Sequence, residues 1–214
     1  MIKISPSLLS ADFTQIKAAV ELVSRCGADY IHCDVMDGGF VPEITFGAKM
    51  IRDLRACTDT PLQVHLMINE PQKHVRRFMD AGAYSVTVHV ENCPDIQSVL
   101  DDIRAGGVRA GVAINPETPA EALDGLDCDE ILVMTVHPGY GAQAFIPQAA
   151  EKIRILKARL AAEGRTAEIG VDGGVNPQTA PVCVALGADT LISGNYIFTH
   201  EDPALAMDIL RGVR

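Results

Sequence analysis

The chain has 214 residues, 48% hydrophobic and 21% charged, and its 18 basic and 28 acidic side chains give a formal net charge of −10. This length suits one α/β barrel with a large core, and the composition argues against a disordered chain. The acidic balance without a Lys/Arg cluster argues against nucleic-acid and membrane partners, and no apolar run reaches the roughly 18 residues that a membrane crossing needs.

Eight short apolar runs predict β-strands, and stretches of helical periodicity follow them. The strands are predicted at residues 2–5, 30–35, 62–67, 85–90, 109–114, 130–136, 168–172 and 190–193. Helices are predicted from an Asp12 cap to Cys26 and at residues 46–56, 71–82, 96–105, 119–123, 151–164, 177–186 and 203–210. Eight such units predict an α/β fold over residues 1–214, a single (β/α)8 TIM barrel. A doubly wound open sheet is disfavoured, because SPSLLSADF after the first strand contains no glycine.

Histidines concentrate where such a barrel carries its chemistry. Catalytic side chains project from the carboxyl ends of barrel strands. Four of the six histidines fall at or just beyond predicted strand ends: His32, His65, His89 and His137. Random placement would scatter them over helices, so their concentration indicates a functional site.

Two histidines and two acids are predicted to form a metal site. Residues two apart on a strand share a face, so His32 and Asp34 point together into the barrel mouth. His65 does so from the next strand, and Asp172 ends the seventh. Two imidazoles and two carboxylates suit one divalent ion, which is zinc, iron(II), manganese or cobalt. Metal ligation would also compensate the cost of ionised carboxylates in apolar strands.

Asp34 and Asp172 are also the predicted acid/base residues. Carboxylates on opposite sides of a pocket suit proton removal from one face of a carbon and return to the other. A divalent ion between them would hold a carbonyl and a hydroxyl and stabilise an enediolate. The pattern therefore predicts isomerase or epimerase chemistry on a hydroxyketone. No lysine ends a strand, so a Schiff-base mechanism is unsupported.

The substrate is predicted to carry a phosphate. Three glycine-bearing turns follow late strands, HPGYGAQ at residues 137–143, VDGGVN at 171–176 and SGNYIF at 193–198. Glycines let backbone N–H groups approach an anion, and the loops after the last strands are a common phosphate site in these barrels. Met36, Met67 and Met134 lie near strand ends and are predicted to form an apolar floor under the enediolate.

The cysteines and the N-terminus bear on the compartment. The six cysteines are scattered without a CxxC pair, and MIKISPSLLS has neither an extended apolar run nor a cleavage pattern. Unpatterned thiols are typical of a reducing compartment. We therefore expect a cytoplasmic protein.

Seven segments, in order, resemble the ribulose-phosphate 3-epimerase family: ISPSLLSADF, HCDVMDGGFVPEITFG, VHLM, INPETP, MTVHPGYGAQAFIP, VDGGVN and SGNYIF. The resemblance implies a metal-dependent epimerase of carbohydrate metabolism, in the pentose phosphate pathway, that acts at the third carbon of a ketose phosphate and forms dimers or hexamers. Matched by position, His32, Asp34, His65 and Asp172 resemble the metal ligands. Asp34 and Asp172 resemble the acid/base pair, and Ser7 and His65 resemble substrate contacts. The phosphate-side loops contain Gly139, Tyr140, Gly141, Ala142, Gly173, Gly174, Gly194 and Asn195.

The chain departs from the family pattern at the substrate end. The family usually has Asn and then Pro-Gly-Phe-Gly-Gly, where this chain has His137, Tyr140 and Ala142. Asn195 replaces the serine of a Gly-Ser pair, and Glu43 replaces an asparagine. Three hypotheses follow: an epimerase of D-ribulose 5-phosphate and D-xylulose 5-phosphate, a paralogous enzyme such as D-allulose 6-phosphate 3-epimerase, and a non-catalytic sugar-phosphate-binding barrel.

Overall fold

The structure is a computed structural model and describes residues 1–213. Its strands are β1 (Lys3–Pro6), β2 (Ile31–Met36), β3 (Leu62–Met67), β4 (Ser85–His89), β5 (Arg109–Ile114), β6 (Glu130–Met134), β7 (Glu168–Asp172) and β8 (Thr190–Ser193). Every strand pair is parallel, in the order β1-β8-β7-β6-β5-β4-β3-β2, and the bridge between Ser7 and His32 joins the two outer strands. The predicted TIM barrel is confirmed.

In the described part of the chain, eight α-helices connect the strands or follow them. They are α1 (Ile16–Arg25), α2 (Ala48–Arg55), α3 (Val75–Met79), α4 (Ile96–Ala105), α5 (Pro147–Ala162), α6 (Ala180–Leu186), α7 (Asn195–Thr199) and α8 (Pro203–Arg211). Within residues 1–213, none of these helices has the length and apolar character that a membrane crossing requires.

One helix prediction was wrong, two predicted helices begin with a 3-10 turn, and one helix was missed. The segment predicted at 119–123 forms a 3-10 turn at Ala120–Leu123, because four residues leave no room for a series of i to i−4 hydrogen bonds. Asp12 caps the 3-10 turn Phe13–Gln15, and α1 begins only afterwards. The SGNYIF segment at 193–198 was predicted as a glycine turn, but α7 begins within it, directly after Gly194.

The alternation along the strands separates the barrel interior from the layer under the helices. In β2, Ile31, Cys33 and Val35 belong to the main apolar core. His32 and Asp34 alternate with them and point into the barrel, where both are buried. The polar residues of the candidate site therefore belong to the inner layer, held by an apolar outer one.

Gly173, directly after β7, should tolerate no side chain. It has φ +116, and an added Cβ would lie 2.8 Å from the backbone nitrogen of Val136. We expect Gly173→Ala to lower the free energy of unfolding by on the order of 3 kcal/mol, because steric overlap adds to left-handed strain. Gly164 has φ +64 and open space around it, so Gly164→Ala should lose only the strain contribution. Equal urea midpoints for the two variants would contradict this expectation.

Candidate active site and metal centre

A cavity of about 200 Å³ opens at the carboxyl ends of the strands. Among the predicted site residues, those lining it are Ser7, Asp34, Met36, Met67, Met134, Gly139, Tyr140, Gly141, Ala142, Asp172, Gly173, Gly174, Gly194 and Asn195. His32 and His65 do not line the cavity and are buried next to it. The geometry thus favours a ligand role for His65 over direct contact with a substrate.

The four predicted metal ligands lie together. Each offers one ligand atom, and the four atoms are within 4.8 Å of one another. Nε2 of His32 is 3.3 Å from Oδ1 of Asp34 and 3.6 Å from Oδ2 of Asp172. Nδ1 of His65 is 3.3 Å and 3.8 Å from the same two oxygens. Three strands, β2, β3 and β7, contribute to this cluster.

A divalent metal ion fits this cluster. Nε2 of His32 and Nδ1 of His65 are 3.3 Å apart, and both face the two carboxylates. Imidazole nitrogens and carboxylate oxygens that converge in this way match the donor set of zinc and related ions. Nδ1 of His32 is buried without a partner among the described residues, so hydrogen bonds there do not fully account for this ring.

The electrostatic environment moves the pKa values of the two acids in opposite directions. Burial opposes ionisation of Asp34, but the adjacent His32 outweighs it and holds the pKa of Asp34 well below its usual range. Burial and the adjacent Asp34 carboxylate raise the pKa of Asp172. One acid is therefore ionised while the other can carry a proton closer to neutral pH, a division suited to acid/base work.

The same environment moves the pKa values of the two histidines in opposite directions. Burial disfavours a charge on His32, yet Asp34 and Asp172 outweigh it and raise the pKa of His32 to about 9. Burial, reinforced by the neighbouring histidines, lowers the pKa of His65 to about 4. A metal ion would therefore compete with a proton at His32, whereas His65 is already neutral.

Backbone and hydroxyl contacts hold both acids in place. Oγ of Ser7 donates a hydrogen bond of 2.6 Å to Oδ2 of Asp34. The carbonyl oxygen of Asp172 accepts hydrogen bonds from the N–H and the hydroxyl of Thr135, at 2.8 and 3.0 Å. Ser7 was predicted as a substrate contact, and the structure adds an orienting role for it. The sequence reasoning did not identify Thr135.

The departures from the family pattern divide into two groups. Tyr140, Ala142 and Asn195 line the cavity. Glu43 and His137 do not, and the side chain of His137 is 62% exposed beside Glu117. The first group is therefore placed to contact a ligand held in this cavity.

Ala142 adopts φ +57, the left-handed region in which a Cβ costs roughly 1–2 kcal/mol. Glycine would remove that cost but raise the entropy of the unfolded chain, by about 0.4–1 kcal/mol. We expect Ala142→Gly to keep the free energy of unfolding or raise it by up to ~1 kcal/mol. Ala158→Gly, at an exposed site within α5, should instead lose about 1 kcal/mol. Urea denaturation tests this, and similar losses at both positions would disprove the expectation.

Comparisons of the sequence with known proteins agree on one family, and a comparison of the structure shows a shared fold. The sequence model described as the Ribulose-phosphate 3 epimerase family matches residues 3–198. The chain is 44% identical over 216 residues to the ribulose-phosphate 3-epimerase of Bacillus subtilis (strain 168), with 99% of each chain covered. It is 45% identical over 199 residues to that of Rhodobacter capsulatus, covering 92% of this chain and 86% of the relative. The crystal structure of KGPDC from Streptococcus mutans has a TM-score of 0.71 at 15% identity, covering 99% of this chain and 96% of that one, which shows a common fold.

Proposed function

Because the chain belongs to the ribulose-phosphate 3-epimerase family, we propose that it interconverts D-ribulose 5-phosphate and D-xylulose 5-phosphate with one divalent metal ion. It is an isomerase of carbohydrate metabolism. The observation that carries the proposal is the pair of carboxylates, Asp34 and Asp172, in the wall of one cavity beside two buried histidines. A barrel that merely binds a sugar phosphate has no need for two such acids.

The two carboxylates act on opposite faces of the third carbon. An ionised carboxylate removes the proton from one face, and the protonated partner returns a proton to the other. In the reverse direction the two acids exchange these tasks. The low pKa of Asp34 and the raised pKa of Asp172 supply one group in each protonation state at the start of a turnover. Ser7 holds Asp34 in orientation throughout.

His32, Asp34, His65 and Asp172 would hold the ion, which when bound supplies positive charge beside the oxygens of the substrate. Zinc, iron(II), manganese and cobalt all suit this donor set. Met36, Met67 and Met134 line the cavity, are almost fully buried, and give it an apolar wall. That wall excludes water and leaves a planar enediolate exposed to the two acids alone.

The phosphate group is assigned to the glycine loops. Gly141, Ala142 and Gly174 line the cavity from the turns that follow β6 and β7, and Asn195 lines it from the start of α7. Backbone N–H groups in such turns bind anions without help from a basic side chain. The net charge of −10 repels a phosphate only weakly, because salt screens charges spread over the surface. Backbone amides in direct contact with the phosphate outweigh that repulsion.

A second candidate is a paralogous ketose-phosphate 3-epimerase, such as one for D-allulose 6-phosphate. Tyr140, Ala142 and Asn195 depart from the family pattern, and all three line the cavity at the proposed phosphate end. The acid/base and metal residues are the same under either reading. The two candidates therefore differ in substrate and not in chemistry.

Proton NMR in heavy water tests both candidates. The metal-loaded protein is incubated with D-ribulose 5-phosphate and, separately, with D-allulose 6-phosphate. Deuterium at the third carbon of the pentose phosphate, together with D-xylulose 5-phosphate, is the expected result. Turnover of the hexose phosphate alone would support the paralogue, and exchange with neither would contradict both.

The family resemblance also supports a cytoplasmic homo-oligomer, a dimer or a hexamer, of the single ribulose-phosphate-binding barrel type. Light scattering distinguishes these assemblies from a monomer.

A further inference from the structure

Three side chains in contact, His65, His89 and Glu91, lead from the candidate metal site toward the loop after β5. Nε2 of His65 lies 2.8 Å from Nε2 of His89, and Nδ1 of His89 lies 3.0 Å from Oε2 of Glu91. Both imidazoles are fully buried. His89 and Glu91 do not line the cavity, so neither can contact a substrate held there. The proposed acid/base mechanism assigns no role to His89 or Glu91.

The hydrogen-bonding capacity of these groups determines where their protons lie. An ionised carboxylate only accepts hydrogen bonds, so Nδ1 of His89 must carry a hydrogen and donate it to Glu91. The other nitrogen of a neutral His89, Nε2, is then an acceptor. Nε2 of His65 must therefore carry a hydrogen and donate it to His89. The remaining nitrogen of His65, Nδ1, then keeps a lone pair. Nε2 of His32 lies 3.3 Å from this nitrogen and 3.3 Å from Oδ1 of Asp34, so a hydrogen on His32 faces both acceptors.

We propose that Glu91 and His89 are positioning residues, which hold His65 in the tautomer whose Nδ1 lone pair points at the metal. This inference rests on the proposed metal site. A doubly protonated His89 would reverse the arrangement, but it would place a positive charge against a ligand of a divalent ion. Carboxylate-to-histidine contacts behind a ligand histidine are a general means of fixing its tautomer and raising its basicity.

Glu91 is itself held by the loop after β5. Its Oε1 accepts hydrogen bonds from the N–H of Asn115, at 2.7 Å, and from the hydroxyl of Thr118. The ammonium group of Lys152 on α5 donates to carbonyl oxygens of the same loop, including those of Asn115 and Thr118. One oxygen of Glu91 is thus committed to the loop, and the other is left to His89. The carboxylate cannot rotate without breaking contacts on both sides.

This arrangement predicts a specific effect of Glu91→Gln. The loop donors still require an acceptor, so the amide oxygen stays with them and the amide NH₂ faces His89. Nδ1 of His89 must then accept, and its Nε2 must donate to His65. The proton of His65 is displaced to Nδ1, where it blocks the metal.

The experiment reads tautomers directly, from the ¹⁵N chemical shifts of the histidines in the metal-free protein, followed by zinc titration against a chromophoric chelator. We expect His65 in the unsubstituted protein to carry its hydrogen on Nε2. In Glu91→Gln it should move to Nδ1, and zinc should bind roughly 10–100-fold more weakly. Glu117→Gln is the matched control, because Glu117 also faces a histidine nitrogen, at 3.2 Å from His137, but on the exposed rim. It should change neither readout.

Several results would overturn the inference. One is a hydrogen on Nδ1 of His65 in the unsubstituted protein, and another is a Glu91→Gln protein with unchanged tautomers and zinc affinity. If Glu91→Gln does not fold, the shifts of the unsubstituted protein decide the question alone. If that protein takes up no zinc, the proposed metal site fails, while the shifts of the metal-free protein still test the positioning role separately.

Discussion

Asp172→Asn is expected to abolish epimerisation while the barrel stays folded. Asparagine preserves the shape of the side chain and one oxygen for the metal, but it cannot carry a proton to or from the third carbon. Loss of one acid/base group lowers kcat by about 10²–10⁴-fold. The effect is large because one face of the substrate then has no proton carrier.

Measuring proton exchange distinguishes the loss of one acid/base group from a general loss of activity. With Asp34 intact, the variant should still exchange the third-carbon proton of one epimer with heavy water, without producing the other epimer. Bound metal is measured in parallel, so that a lost ion is not mistaken for a lost acid. Asp53→Asn is the control, since Asp53 is exposed on α2 and pairs with Lys49. Turnover close to that of the unsubstituted protein would refute the two-acid scheme.

His65→Ala is expected to lower metal content and turnover together. The substitution removes one of the two proposed nitrogen ligands and leaves His89 without its hydrogen-bond partner. Loss of residues behind a ligand already weakens metal binding by about 10–100-fold, so loss of a ligand should cost at least as much. Excess zinc should restore part of the activity, which a damaged fold would not allow.

The measurements are zinc stoichiometry after dialysis and kcat over a range of zinc concentrations. His200→Ala serves as the control, because His200 lies in the turn before α8, where its ring accepts from the N–H of Asp202. A His65→Ala protein that keeps a full complement of metal but turns over slowly would reassign His65 to substrate contact.

Much of the site follows from local rules that a sequence displays. Period-two alternation places His32 and Asp34 on one face of a strand, and eight repeats of strand and helix imply a closed barrel. Closure is what brings Asp172 to His32 from a distant part of the chain, so that the two side chains approach to 3.6 Å. The four predicted ligands needed no further information than strand identity and barrel direction.

The short helical segments were less predictable. A helix was predicted at 119–123, yet the structure has only the 3-10 turn Ala120–Leu123 there, and six further residues precede β6. At the opposite extreme, SGNYIF looked like a turn because of its glycine, and α7 begins immediately after that glycine. Tertiary context routinely overrides such local preferences in short segments.

The fold class, the strands and the four side chains that could hold a metal ion are predictable from the sequence, because each follows from an alternating or repeating pattern along the chain. The positions of His89 and Glu91 behind His65 could be read only from the folded chain. The β3–β4 register places His65 opposite Thr87, and the side-chain contact instead reaches His89, two residues further on. The folded chain also shows that Ala142 and Asn195 line the cavity, whereas Glu43 and His137 do not. Contacts between strands and the directions of loop side chains depend on the tilt and closure of the whole barrel, which no local pattern encodes.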